Sequence, residues 1–301
     1  MRGLLKLFCL AVTALAVASP NLWADQALPL KLTQDQWVAA KQEINLSTGL
    51  KMKYVEMGQP DGEVLILLHG MTDNSRSWSL IVEHFTDKYR VIMPDQRGHG
   101  ESGKPDSRMY LPVDYAADLA ALMEAKGIAK AHVTGHSLGS MILQTFAVNY
   151  PEKIDKVVLV ASAPVEFASL GRDLYDAAVG FGVNQPDAEF MAAWYANPNP
   201  VNEDFLRREM AESQNIPPHA WRAITKGSSA FNLMPFMDEL KAPVLILWGD
   251  LDGFFDRASQ DALRKAIPQA EFVAYEKTGH NIQWEMPEKM AADIRKFLEA
   301  K

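Results

Sequence analysis

Apolar residues along the chain recur in two patterns. Val64-Leu65-Ile66-Leu67-Leu68 is an unbroken apolar run, as expected of a strand buried on both faces of a parallel sheet. The same signal predicts strands over residues 90–94, 132–135, 157–160, 244–248 and 271–275. Between most of them apolar residues return at helical spacing, which predicts helices over 78–85, 115–126 and 138–150. Upstream, Thr33 has the character of an N-cap for a short helix to Lys41, and residues 43–47 and 50–57 flank a Thr48-Gly49 turn as a β-hairpin. Alternating strand and helix predict an α/β fold built on a doubly wound, mostly parallel sheet.

One connection breaks this rhythm. The 78 residues from 165 to 242 carry helical patterns punctuated by Asn197-Pro198-Asn199-Pro200 and Pro217-Pro218. A structureless loop of that length is improbable in a compact domain. The expected organisation is therefore an α/β core over 25–164 and 243–301, with a helical cap, 165–242, inserted between two sheet strands. The cap holds ten aromatic residues, about 13% against 9% for the whole chain. They are candidate walls of an apolar pocket, although small helices also need aromatic side chains to pack on a sheet.

The first residues read differently. Arg2 and Lys6 precede twelve mostly apolar residues, 7–18, and Ser19-Pro20 breaks the run before Ala24. These are the three zones of a secretory signal peptide, residues 1–24, which places the mature protein in the periplasm or outside the cell. The run is short of the roughly 20 residues that span a bilayer, so no stable membrane insertion is expected after cleavage. Cys9, the single cysteine, lies in this leader, so the mature protein has no thiol and no disulfide.

The chain has 301 residues and a net charge of −8; cleavage after Ala24 makes it −10. A surface of that sign repels polyphosphate, so nucleic acid is not an expected partner. Neither metal nor cofactor is expected.

Gly135-His136-Ser137-Leu138-Gly139 stands where a strand meets a helix and fits the G-x-S-x-G nucleophile elbow. The tight turn exposes the Ser137 hydroxyl, and the helix beginning at Leu138 directs free N–H groups toward developing negative charge. A serine hydroxyl is a weak nucleophile, so it needs an imidazole base and a carboxylate that orients the base. Of seven histidines only His280 follows the last strands, in a Gly-containing loop. For the acid, Asp250 and Asp252 compete at the carboxyl end of the 244–248 strand. His69 and His99, both in glycine turns, are read as structural.

The His69-Gly70 turn, Asp95-Gln96-Arg97-Gly98-His99-Gly100, the elbow, Trp248 to Asp252, and Gly279-His280 together resemble the α/β-hydrolase fold superfamily, across nearly all of the mature sequence. The resemblance implies Asp252 as the acid, three residues after Gly249, and an oxyanion hole of the Met71 and Leu138 backbone N–H groups. The Trp248-Gly249 start of the acid loop and the tail after His280 resemble the capped branch of esterases, enol-lactonases and meta-cleavage product hydrolases. Ser137, where haloalkane dehalogenases and epoxide hydrolases need a carboxylate, argues against those activities. The proline iminopeptidase motif does not match.

The leading expectation is a serine esterase or lactonase acting on a small, apolar, uncharged ester or lactone. A carbon–carbon bond hydrolase or a perhydrolase would use the same triad, and a non-catalytic ligand-binding sensor is the alternative from another class. No stretch outside the leader has the basic amphipathic pattern of a helix lying on lipid, which argues against a lipase working at such a surface. Trp78, Trp194, Phe254 and Phe255 are the candidate substrate-binding residues. His136 is kept with them, although its position beside the serine also reads as structural.

Overall fold

A computed structural model describes residues 27–165, 169–180 and 186–300. The leader and two cap aromatics, Phe167 and Phe181, lie outside them. Eight strands form one sheet: β1 (Gln42–Asn45), β2 (Lys51–Gly58), β3 (Glu63–Leu68), β4 (Tyr89–Pro94), β5 (Ala131–His136), β6 (Ile154–Val160), β7 (Val244–Gly249) and β8 (Glu271–Tyr275). Their spatial order is β1-β2-β4-β3-β5-β6-β7-β8. The first two pairings, β1 with β2 and β2 with β4, are antiparallel; all the others are parallel.

The unbroken apolar runs are explained by burial on both faces. Ile66, Leu68, Val157, Leu159, Val244 and Ile246 face one core, together with α1 (Pro112–Ala125) and α2 (Leu138–Asn149). Leu65, Leu67, Val158, Val160, Leu245 and Leu247 face the other, covered by α9 (Pro287–Glu299) and the 78–85 segment. Period-two alternation thus assigns each residue to a layer, and no strand position in these runs is spared.

Between β6 and β7 come α3 (Ser169–Gly180), α4 (Ala188–Trp194), α5 (Glu203–Ser213) and α6 (Pro218–Ser229). From α6, Ala220, Trp221, Ala223 and Ile224 join the first core. From α4 and α5, Met191 and Phe205 pack with Tyr195 and with Trp284 of α8 (Ile282–Glu285). Within the core, α7 (Arg257–Ala266) connects β7 to β8.

Two predicted helices are not helices. Residues 34–40 form a run of turns, too short to nucleate an α-helix; it is anchored by Trp37, whose Nε1 donates to Ser75 Oγ at 3.2 Å. Over 78–85 the chain makes two short 3-10 turns, Ser75–Trp78 and Val82–His84. These bury Trp78, Ile81, Val82 and Phe85 as an α-helix at that spacing would.

Candidate active site

In an α/β sheet of this kind ligands bind beyond the carboxyl ends of the strands where the order reverses. Here that point lies between β3 and β5, neighbours from which the chain winds outward in both directions. The loops after them carry Met71 and Ser137.

Ser137 sits at φ 51° and ψ −117°, a left-handed conformation that costs a non-glycine residue and lifts its side chain out of the strand. The turn is fixed from several sides. Ser137 N–H donates to Val160 O at 3.0 Å, and Ser140 Oγ donates to Ser137 O at 2.6 Å. The flanking glycines are dictated by contact: a Cβ on Gly135 would lie 2.3 Å from Gly139 O, and one on Gly139 would lie 2.3 Å from Leu68 O. Leu138 opens α2, where the first N–H groups have no intrahelical acceptor. Met71 N–H likewise donates to no backbone carbonyl among the described residues.

The loops after β7 and β8 bring Asp252 and His280 together. His280 Nδ1 lies 2.9 Å from both Asp252 carboxylate oxygens. Asp252 Oδ1 also accepts the amides of Phe254 and Phe255, at 2.8 and 3.1 Å, which aim the carboxylate before the imidazole arrives. Asp250 is exposed and instead accepts Thr278 N–H, so geometry separates the two aspartates. The His280 ring packs against Phe254 and Phe255, with centroids 4.8 and 5.5 Å away.

Ser137 and His280 line one cleft of about 770 Å³, its open mouth included. Its apolar walls are Met71, Leu138, Met141, Leu174, Trp194, Phe254, Phe255 and Trp284; its polar ones are Asp73, His136, Tyr195, Ser228 and Asn281. No Lys or Arg lies among these described lining residues. Trp194 and Phe254 approach to 5.3 Å between ring centroids. Trp78, expected in the wall, instead lies fully buried in the core beneath the sheet. Helical spacing specifies a buried face without saying which cavity or core it meets.

Three histidines near the site are committed elsewhere. His69 Nδ1 bonds Gly70 O at 2.8 Å while Nε2 accepts Gln96 N–H at 3.0 Å; burial pushes it down to about 4. His99, also buried and held well below the usual imidazole range, bonds Arg97 O. His136 lines the cleft and its Nε2 bonds the His280 carbonyl at 3.1 Å. Burial, with His280 close by, holds it well below the usual imidazole range.

Asp73 and Tyr195 were not singled out by sequence reasoning for the site. Asp73 is buried beneath Tyr195, and that burial pushes its carboxyl up to about 7. The Tyr195 hydroxyl touches Asp73 Oδ1 and Thr72 Oγ1, both at 3.1 Å, and Ser213 Oγ. Tyr195 donates to Asp73 Oδ1, which partly offsets the cost of burying that carboxyl, and Ser213 Oγ donates to the Thr72 carbonyl. Glu209 of α5, also buried and raised, accepts the Asn74 amide at 3.0 Å. The one local signal for Asp73 was its place two residues past Met71. Among the described residues no three His, Cys, Asp or Glu side chains cluster as metal ligands, and no helix is long and apolar enough to cross a membrane.

Comparison with known proteins bears on the fold and the family. The family model described as the alpha/beta hydrolase fold matches residues 63–287. The chain is 28% identical over 269 residues to Lipase 1 of Psychrobacter immobilis, covering 85% of this chain and 83% of that protein. It is 27% identical over 243 residues to the 2-hydroxy-6-oxo-6-phenylhexa-2,4-dienoate hydrolase of Burkholderia cepacia, covering 74% and 83% respectively. The crystal structure of a hydrolase from Pseudomonas aeruginosa PA01 superposes with a TM-score of 0.79 at 21% identity, covering 86% of this chain and 98% of that one. With the family model spanning most of the chain and the sheet order, elbow and paired loops in place, the protein belongs to the α/β-hydrolase fold family.

Proposed function

We propose that this carboxylic ester hydrolase cleaves small, uncharged esters or lactones through an acyl-enzyme formed on Ser137. His280 takes the hydroxyl proton as Ser137 attacks the carbonyl carbon, and Asp252 holds the imidazole in the tautomer that makes this possible. Charge developing on the carbonyl oxygen falls to the Met71 and Leu138 N–H groups. The proton then passes to the departing alkoxide, and water, activated by His280 in turn, releases the acid. One observation carries the reading: His280 Nδ1 is gripped by both oxygens of Asp252 in the same cleft that Ser137 enters from its left-handed turn.

The cleft also supports the substrate class. Its walls are mostly apolar, and its described lining offers one carboxyl and no cation, so a carboxylate-bearing substrate would enter without a counter-charge. Carbon–carbon bond cleavage is the second reading, favoured by the similarity to the Burkholderia hydrolase, whose named substrate is a carboxylate. We place the protein outside the cytoplasm, with residues 1–24 as its signal peptide, on the charge and hydropathy zones of that segment alone.

The test is turnover of p-nitrophenyl esters of increasing acyl length, and of a lactone series, by mature protein and by Ser137→Ala. The reading expects ester or lactone turnover that the variant lacks. Inactivity toward every member, or equal activity of the variant, would refute it.

A further inference from the structure

Residues 194–199, starting at the last residue of α4, touch both halves of the proposed site. On the oxyanion side Trp194 Nε1 donates to Thr72 Oγ1 at 2.9 Å, and Tyr195 binds Thr72 and Asp73 as described. On the base side Asn199 Nδ2 donates to Lys277 O and to Glu285 Oε2, both at 2.7 Å. Glu285 in turn accepts the Gly279 amide with both oxygens, at 3.0 and 3.1 Å, one residue before His280. Asn281, one residue after His280, donates through Nδ2 to Asn197 Oδ1 at 2.9 Å.

Thr72 stands at φ 73°, a conformation that a β-branched residue rarely adopts and that persists only where its surroundings over-determine it. Its surroundings here belong to the insertion between β6 and β7: Trp194 and Tyr195 hold its hydroxyl, and Ser213 Oγ donates to its carbonyl at 2.7 Å. Thr72 directly follows Met71, so anchoring Thr72 fixes the carboxyl side of Met71 and with it the turn that presents the Met71 N–H.

We propose that residues 194–199 act as a positioning strap, in which Tyr195 holds the Met71–Thr72 turn and Asn199, through Glu285, holds the His280 loop. The insertion thereby sets the oxyanion donor against the base, beyond roofing the cleft. This rests on the acyl-transfer reading above. A misaimed Met71 N–H weakens binding of the oxyanion, which exists only near the transition state, so the loss falls on kcat and leaves KM in place.

The experiment measures kcat, KM and the inhibition constant of phenylboronic acid, which forms a tetrahedral adduct on a serine nucleophile, for Tyr195→Phe, Ser213→Ala and Asn199→Ala. Losing one oxyanion donor costs about 10²–10³ in rate, so a misaimed donor should lower kcat by roughly 10- to 100-fold. KM should stay within about threefold of wild type, because ground-state binding is untouched. Boronic acid affinity should fall in step with kcat. A raised KM at wild-type kcat would make these residues cleft wall only and overturn the proposal. A lowered melting temperature with wild-type kcat and boronic acid affinity would make them merely structural, with the same consequence. Should Tyr195→Phe fail to fold, the two other variants carry the test on the same outcomes. Wild-type protein that neither turns over esters nor reacts with a fluorophosphonate overturns the acyl-transfer reading and the strap with it, whereas an active wild type with unaltered variants overturns the strap alone.

Discussion

Asp252 presents both carboxylate oxygens to His280 Nδ1 at 2.9 Å while its own Oδ1 is held by two backbone amides. The carboxylate is thus oriented by the Phe254-Phe255 turn independently of the imidazole. Asp252→Asn keeps that shape and presents an amide in place of one oxygen, which favours the wrong tautomer of His280. Ester turnover should fall by about 10³–10⁴-fold in kcat, the scale for a triad that keeps its geometry but loses its orienting charge. Steady-state kinetics at pH 7 to 8 measures it; an unchanged kcat would remove Asp252 from the mechanism.

Stability should fall as pH rises from about 5 to 7. Burial raises the Asp73 carboxyl to about 7 and the Glu209 carboxyl well above its ordinary range, and the groups facing Asp73 are Glu209, Tyr195, His136 and His280. An unfolded Asp releases its proton near pH 4, so between about 4 and 7 the folded protein binds the extra proton and loses stability with each step upward. The loss from Asp73 is complete once the pH has passed its folded value. Asp73→Asn keeps a donor and an acceptor without the titration, so its melting temperature should decline less between pH 5 and 8. Parallel declines in the two proteins would contradict this.

The elbow glycines tolerate nothing larger. In Gly135→Ala the new methyl would meet the Gly139 carbonyl and carbon at 2.3 and 2.6 Å, both backbone atoms. Relief requires moving α2 off β5, and a loss of about 3 kcal/mol is expected from overpacking at such a contact. Urea unfolding of Gly135→Ala beside wild type reads it, with equal midpoints as the contrary result.

The cleft mouth sets chain length. Phe254 is partly exposed, packs on Trp194 and holds the Asp252 carboxylate through its backbone alone. Phe254→Ala therefore opens apolar volume and keeps the backbone bonds to Asp252, at the cost of one ring contact with His280, and each added buried methylene is worth about 0.8 kcal/mol. The acyl-length optimum on p-nitrophenyl esters should move to longer chains. A uniform drop at every length would show that Phe254 positions His280 and does not bound the substrate.

How much of this was legible in sequence depends on how far apart the interacting residues lie. Ser137, Asp252 and His280 each stand in a glycine-marked loop at a strand end, so local pattern and order along the chain were enough to nominate them. The choice of Asp252 over Asp250 came from family spacing, and the structure gives its physical basis in burial and the His280 contact. The pairing of Tyr195 with Asp73 was illegible because they meet across 122 residues, and Asn199 reaches Glu285 across 86. Nothing in local periodicity encodes such pairings. Trp78 was misplaced for the converse reason: its spacing announced burial, and the partner turned out to be the core under the sheet.

The most direct test of the central claim is mass spectrometry of the protein after incubation with a fluorophosphonate, followed by peptide mapping, with Ser137→Ala and His280→Ala alongside. The account expects one adduct per chain, on Ser137, absent from Ser137→Ala and formed far more slowly in His280→Ala. An unlabelled wild type, or an adduct on another residue with Ser137 free, would contradict it.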